Sequence, residues 1–207
     1  MKITFLDIYR KSKYKISKNT NAGMGTANNY GTNLLAKAQN ILIKNSIHYP
    51  PQNCLYSMAV LRKQGNEVIY SDKLINNNSD IYIFTTSIVN HETEIESISE
   101  LRKLTESLFI VIGPFAECAT EKYLQADNSN NTKIIIGEPE GFFFINSKNI
   151  NLNFLNNLPN KVIFKDMVDL DSLPFPAWDL VFESSKTNSI KSNMRFLGNS
   201  NSVTIEA

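Results

Sequence analysis

Cysteine is scarce in this chain, with only Cys54 and Cys118 present. Two thiols with no histidines nearby exclude a disulfide scaffold and a structural zinc site, both of which need more ligands at closer spacing. Both cysteines fall in segments that read as helix, where a small buried side chain is the expected role. Charge of one sign is also lacking. Lys+Arg total 21 against Asp+Glu 20, a formal net charge of +1. Without a basic excess, nucleic acid is not an expected partner. No apolar run approaches the ~18 residues of a spanning helix, and Met1–Asp7 contains no long apolar h-region. A soluble, reduced, cytoplasmic protein with no membrane span is therefore expected. Several motifs are missing too. There is no G-x-x-x-x-G-K-[S/T] phosphate loop and no G-x-S-x-G elbow. Gly23-x-Gly25 lacks the third glycine of a dinucleotide fingerprint and lies well past the first apolar strand. A Ser–His–Asp assembly would have to use His48 or His91, and neither carries a local signature.

What is present is an alternation of strand and helix. The chain is 42% hydrophobic and 20% charged, close to globular averages. Its 207 residues suffice for one buried core and an incomplete second unit. Strands are expected at Lys2–Ile8, Glu67–Ser71, Asp80–Thr85, Leu108–Ile112 and Lys133–Ile136. Helices are expected around Leu34–Leu42, from Gln52 to Gln64 after Pro50-Pro51, from Asn90 through Leu104, and from Pro114 to Gln125. Asn90 reads as an N-cap, with Glu92 and Glu94 suited to the positive end of the helix dipole. The polar stretch from Tyr9 to about Tyr30 is long for a connection and reads as a functional loop or local disorder. The strands are continuous apolar runs, which calls for a sheet covered on both faces. The expected fold is α/β: an open, mostly parallel, doubly wound (flavodoxin/Rossmann-like) sheet with helices on both faces.

In such a sheet ligands bind at the carboxyl ends of the strands, near the point where strand order reverses. Those ends hold Thr85-Thr86-Ser87 through Asn90, then Gly113-Pro114, then Gly137-Glu138-Pro139-Glu140-Gly141. Glycine admits close approach of a flat ligand, while hydroxyls and helix N-termini donate hydrogen bonds. Any one of these stretches is explained as a tight turn. Three in succession favour a ligand, and Thr86, Ser87, Asn90, Gly113, Pro114, Gly137, Glu138 and Glu140 are the candidate cofactor-binding residues. No catalytic or metal-ligating residue is expected.

Four segments carry a resemblance. Tyr49-Pro50-Pro51 through Leu61-Arg62-Lys63-Gln64-Gly65-Asn66-Glu67-Val68 resembles the YPP…LxxxGHEV opening of cobalamin-binding domains in radical S-adenosylmethionine proteins. Ile112-Gly113-Pro114, with Ala116 and Thr120-Glu121, is similar to their GGPH segment. Gly137-Glu138-Pro139-Glu140 is similar to their GEGE turn. Leu170-Asp171-Ser172-Leu173-Pro174-Phe175-Pro176-Ala177-Trp178-Asp179 resembles the LDxLPxPAWD connector to the radical domain. Ile112 and Phe115 stand where that pattern has glycine and histidine, and Pro139 replaces the second glycine of the turn.

The resemblance implies a cobalamin cofactor laid on the strand ends, with its nucleotide tail running down between sheet and helices. It also implies no histidine ligand to cobalt, since D-x-H-x-x-G is absent after the first strand. Residues 1–146 would be the cobalamin-binding-like domain, 147–183 an extended connector pinned by Phe175 and Trp178, and 184–207 the start of a radical domain. The C-x-x-x-C-x-x-C motif that would hold the iron–sulfur cluster and S-adenosylmethionine is not in these residues, and a cluster needs thiolates. The expected partner is therefore the radical barrel, and catalysis by these residues alone is not expected. The alternative is a flavodoxin-like ligand-binding or interaction domain without cobalamin. A phospho-acceptor site is a poorer match, because Asp7 stands alone at the first strand end.

Overall fold

The computed structural model of the protein describes residues 1–9, 18, 31–38 and 50–187, the last three as backbone only. Gly23, Gly25, His48 and the segment Val203–Ala207 lie outside the described residues, as do the remainder of the Tyr9–Tyr30 stretch and the end of the Leu34–Leu42 helix.

Six strands form one parallel sheet: β1 (Lys2–Leu6), β2 (Glu67–Ser71), β3 (Ile81–Thr85), β4 (Leu108–Ile112), β5 (Thr132–Ile136) and β6 (Lys161–Ile163). Their order is β2-β1-β3-β4-β5-β6, so the direction of winding reverses between β1 and β3. The residues of β3, β4 and β5 are all buried, as expected of strands covered on both sides, and the runs Ile81–Phe84, Leu108–Ile112 and Ile134–Ile136 are unbroken and apolar or aromatic. Successive side chains point to opposite faces and feed two separate cores. Ile3, Phe5, Ile81, Ile83, Ile110 and Ile135 belong to one core, and Leu6, Tyr82, Phe84, Phe109, Val111 and Ile134 to the other.

The first face is covered by α1 (Gln52–Lys63), α4 (Pro139–Ile145), α5 (Leu152–Asn156) and α6 (Trp178–Thr187); the second by α2 (His91–Arg102) and α3 (Thr120–Gln125). Helix α1 ends in a Schellman motif. Gly65, at φ +84°, donates to the Arg62 carbonyl at 2.9 Å, and the Asn66 amide points back to Leu61 at 3.4 Å.

Several segments depart from the sequence expectation. The helix expected from Pro114 starts only at Thr120, because Gly113 through Ala119 form turns, and Cys118 is exposed there rather than buried in a helix. Cys54 is buried in α1 as expected. Helix α2 stops at Arg102, leaving Leu104 exposed. The stretch around Gly137–Gly141 is not only a turn: Pro139, pre-set for helical φ, opens α4. Val162-Ile163, within the segment read as connector, joins the sheet as β6.

The β5–β6 connection is unusual. The β1–β2 step goes one way with α1 on the first face, and the β3–β4 and β4–β5 steps go the other way with helices on the second face. The β5–β6 step continues in that second direction with α4 and α5 on the first face, so its hand is opposite. Helix α4 packs against α1 there. The connector docks on the same layer. The Ala177 amide donates to the Leu55 carbonyl at 3.2 Å, and Trp178 is buried and stacked on Phe182. Trp178 pins the segment. Phe175, 72% exposed, does not.

Candidate functional site

The reversal between β1 and β3 places Asp7, just past β1, beside Thr85 at the end of β3. Asp7 is completely buried. It accepts hydrogen bonds from the Tyr70 hydroxyl at 2.8 Å and the Thr85 hydroxyl at 3.0 Å. A second carboxylate arrives from α2. Glu94 lies four residues before Ile98 and seven before Leu101, hence on the buried stripe of that helix. It accepts from the Ser87 amide at 3.1 and 3.2 Å, from the Ser87 hydroxyl at 3.3 Å, and from the Tyr123 hydroxyl at 2.8 Å.

Between the two carboxylates sits Lys18, its side chain wholly inaccessible. Its ammonium is 3.3 Å from Asp7 Oδ1 and 3.0 Å from Glu94 Oε1, and donates to the Thr85 carbonyl at 2.7 Å. The Tyr9 ring lies 5.3 Å from the same nitrogen, within cation–π range. Burial raises the Glu94 carboxyl above its ordinary value, although Lys18, Tyr123 and Ser87 all pull the other way. Burial, then the Asp7 charge, pushes up the Tyr9 and Tyr70 phenols and the Cys54 thiol. Burial and Glu94 do the same to Tyr123. The Tyr70 and Tyr123 phenols therefore stay protonated as the donors to Asp7 and Glu94.

The eight residues marked by sequence fall into two sets. Thr86, Ser87 and Asn90 lie inside, beside the charged cluster. Ser87 is engaged with Glu94, and the Asn90 amide donates to Ser87 Oγ at 3.1 Å rather than capping α2 with its side chain. The buried Thr86 hydroxyl has no hydrogen-bond partner among the described residues. The second set forms the outer rim: Pro114, Gly137 and Glu138 are exposed, while Gly113 and Glu140 are partly covered.

The two rim glycines are needed by the fold itself. A β-carbon on Gly113, at φ +109°, would meet Thr86 backbone at 3.0 Å, and one on Gly137, at φ +99°, would fall 2.1 Å from the Phe164 carbonyl oxygen. Two residues past Gly113, the Phe115 ring meets the His91 ring at a tilt of 49° with centroids 4.9 Å apart, and His91 Nδ1 is 2.8 Å from the Ile88 carbonyl. Ile88 itself is 60% exposed, so this part of the rim is apolar and accessible.

Sequence reading missed the Asp7–Lys18–Glu94 cluster. The available signal was the position of Glu94 on the apolar stripe of α2, where a solvent-facing acid does not belong. Nothing local marked Lys18.

An open cavity of about 370 Å³ lies at the opposite, amino-terminal end of the sheet, lined by Ser79, Asp80, Ser107, Asn131 and Asn156 among others. It shares no residue with the strand-end cluster. Among the described residues no group of three or more His, Cys, Asp or Glu is placed to hold a metal ion, and no helix is long and apolar enough to cross a membrane. The fold and this edge define a flavodoxin-like α/β domain with a polar and charged centre at its switch point. No family model, no curated protein and no solved structure matches the chain.

Proposed function

We propose that the carboxyl edge of this sheet is a ligand-binding edge and that its ligand is cobalamin, held as in the modules that accompany radical S-adenosylmethionine domains. The observation that carries the reading is the rim. Residues from the ends of β3, β4 and β5, which the sequence resemblance assigns to corrin contact, lie along one side of the switch point, with Pro114, Gly137 and Glu138 exposed. The exposed Ile88 and the His91–Phe115 ring pair offer apolar surface at the ends of β3 and β4. The Thr86 hydroxyl is a buried group with no hydrogen-bond partner among the described residues.

The fit is to the rim and not to the depth. A nucleotide tail descending at the β1–β3 edge would meet the buried Asp7, Lys18 and Glu94, which fill that route as the chain is folded. This second observation favours the alternative of a flavodoxin-like ligand-binding or interaction domain that takes no cobalamin. The rim residues would hold and orient a flat ligand by hydrogen bonding and close backbone approach. Proton transfer is not part of their proposed role. Bound cobalamin would supply methyl-transfer or electron-transfer chemistry to a radical domain.

The test is to mix the purified chain with hydroxocobalamin, desalt, and record the visible spectrum. Retained colour with a shifted spectrum is expected. Complete loss of colour on desalting would leave the cobalamin-free alternative standing.

A further inference from the structure

We infer that the cage between β1, β3 and α2 is a recognition site for a primary ammonium group, occupied here by the chain's own Lys18. An external primary amine and Lys18 would then exclude one another. An ammonium has three N–H donors and no acceptor. Three acceptors surround Lys18 Nζ: the Thr85 carbonyl at 2.7 Å, Glu94 Oε1 at 3.0 Å and Asp7 Oδ1 at 3.3 Å. Tyr9 presents its ring to the same charge.

The cage is built without Lys18. Asp7 is fixed by the hydroxyls of Tyr70 and Thr85, and Glu94 by Tyr123 and the Ser87 amide. Those bonds come from β2, β3, α3 and the turn before α2, so the carboxylates stay oriented when the lysine is removed. Each buried carboxylate meets the ammonium with one oxygen while hydroxyl or amide donors hold it in place, the arrangement of a charge-assisted cation receptor. The location, at the strand-order reversal of an open parallel sheet, is where ligands of such folds enter.

Replacing Lys18 with alanine deletes a propylammonium group and opens the cage. In the full chain, K18A is expected to bind n-propylammonium saturably, seen by calorimetry and by a rise in melting temperature. Neutral n-propanol should bind at least about tenfold more weakly, since each charge-assisted bond lost costs roughly that factor. Tetramethylammonium, which has charge but no N–H, should also be at least about tenfold weaker. The unaltered protein, its cage filled, should show no saturable response to n-propylammonium. If K18A is unfolded when made, n-propylammonium should restore the folded far-UV and near-UV signals. Equal responses to the three compounds, no saturable binding by folded K18A, or no recovery of an unfolded K18A would each overturn the inference. The experiment contains no cobalamin, so its outcome is independent of the function proposed above.

Discussion

Replacing Lys18 with methionine keeps most of the side-chain stem and removes the ammonium, its charge together with its hydrogen bonds. The lysine is fully buried and so are both acids, with side-chain exposures of 0% for Lys18 and Asp7 and 1% for Glu94. Removing one partner of such a cluster leaves uncompensated buried charge, which costs about 3–5 kcal/mol. The protein has one way to limit the loss. Burial already raises the Glu94 carboxyl, and Lys18 is among the groups holding it down. Without Lys18 it takes up a proton more readily, and each unit of further rise offsets about 1.36 kcal/mol. The cost of Lys18→Met should therefore be greatest where Glu94 is ionised in the parent, and should shrink as pH falls through the raised value. Urea unfolding of both proteins at a series of pH values between 5 and 8 measures it. The double variant with Glu94→Gln should lie closer to Glu94→Gln alone than the sum of the single losses. A cost within about 0.5 kcal/mol at every pH, the range of an ordinary surface substitution, would refute a buried ion cluster at this position.

Other consequences are equally open to measurement. Gly137→Ala places a methyl against the Phe164 carbonyl and strains a backbone at φ +99°, so it should cost about 3 kcal/mol in urea unfolding and release amide protection in β6. Thr86→Val removes a buried hydroxyl with no partner among the described residues, so by thermal unfolding the free protein should be unchanged or stabilised by about 1 kcal/mol, and under the proposed function affinity for cobalamin should fall. The Arg102 guanidinium is 2.7 Å from Asp127 Oδ1 and lies 3.7 Å over the Phe109 ring. Burial alone would raise Asp127, but hydrogen bonds from Thr132 and Ser129, with the Arg102 charge, outweigh it and hold the carboxyl below its ordinary value. Its contribution is thus complete above the unfolded value of about 3.9 and is lost as pH falls through the lower folded one. Asp127→Asn should remove that segment of the acid-unfolding curve.

The central sheet was legible because its strands are continuous apolar runs: Ile81–Thr85 and Leu108–Ile112 needed no tertiary information to be recognised. The edges were not. Lys161–Ile163 is only three residues long, and its pairing with β5 is decided by α4 and α5 packing on the first face rather than by its own pattern. Pro139 was legible as punctuation, yet its role as the first residue of a helix depends on the Phe142-Phe143 pair finding α1. The site divides in the same way. Strand-end glycines and hydroxyls follow from fold class alone, which is why Gly113, Gly137, Thr86 and Ser87 could be named in advance. A lysine eleven positions beyond Asp7 that folds back to meet an acid on α2 is a long-range electrostatic match, invisible to periodicity and composition.

The most direct test of the carboxyl-edge account is an amide-resolved NMR titration of the labelled chain with hydroxocobalamin, whose cobalt is diamagnetic. The account predicts saturable shifts concentrated at Thr86, Ser87, Gly113, Gly137 and Glu138, with the amino-end residues Ser79, Asp80 and Ser107 unmoved. Shifts confined to the amino-end cavity, or none at all, would contradict it.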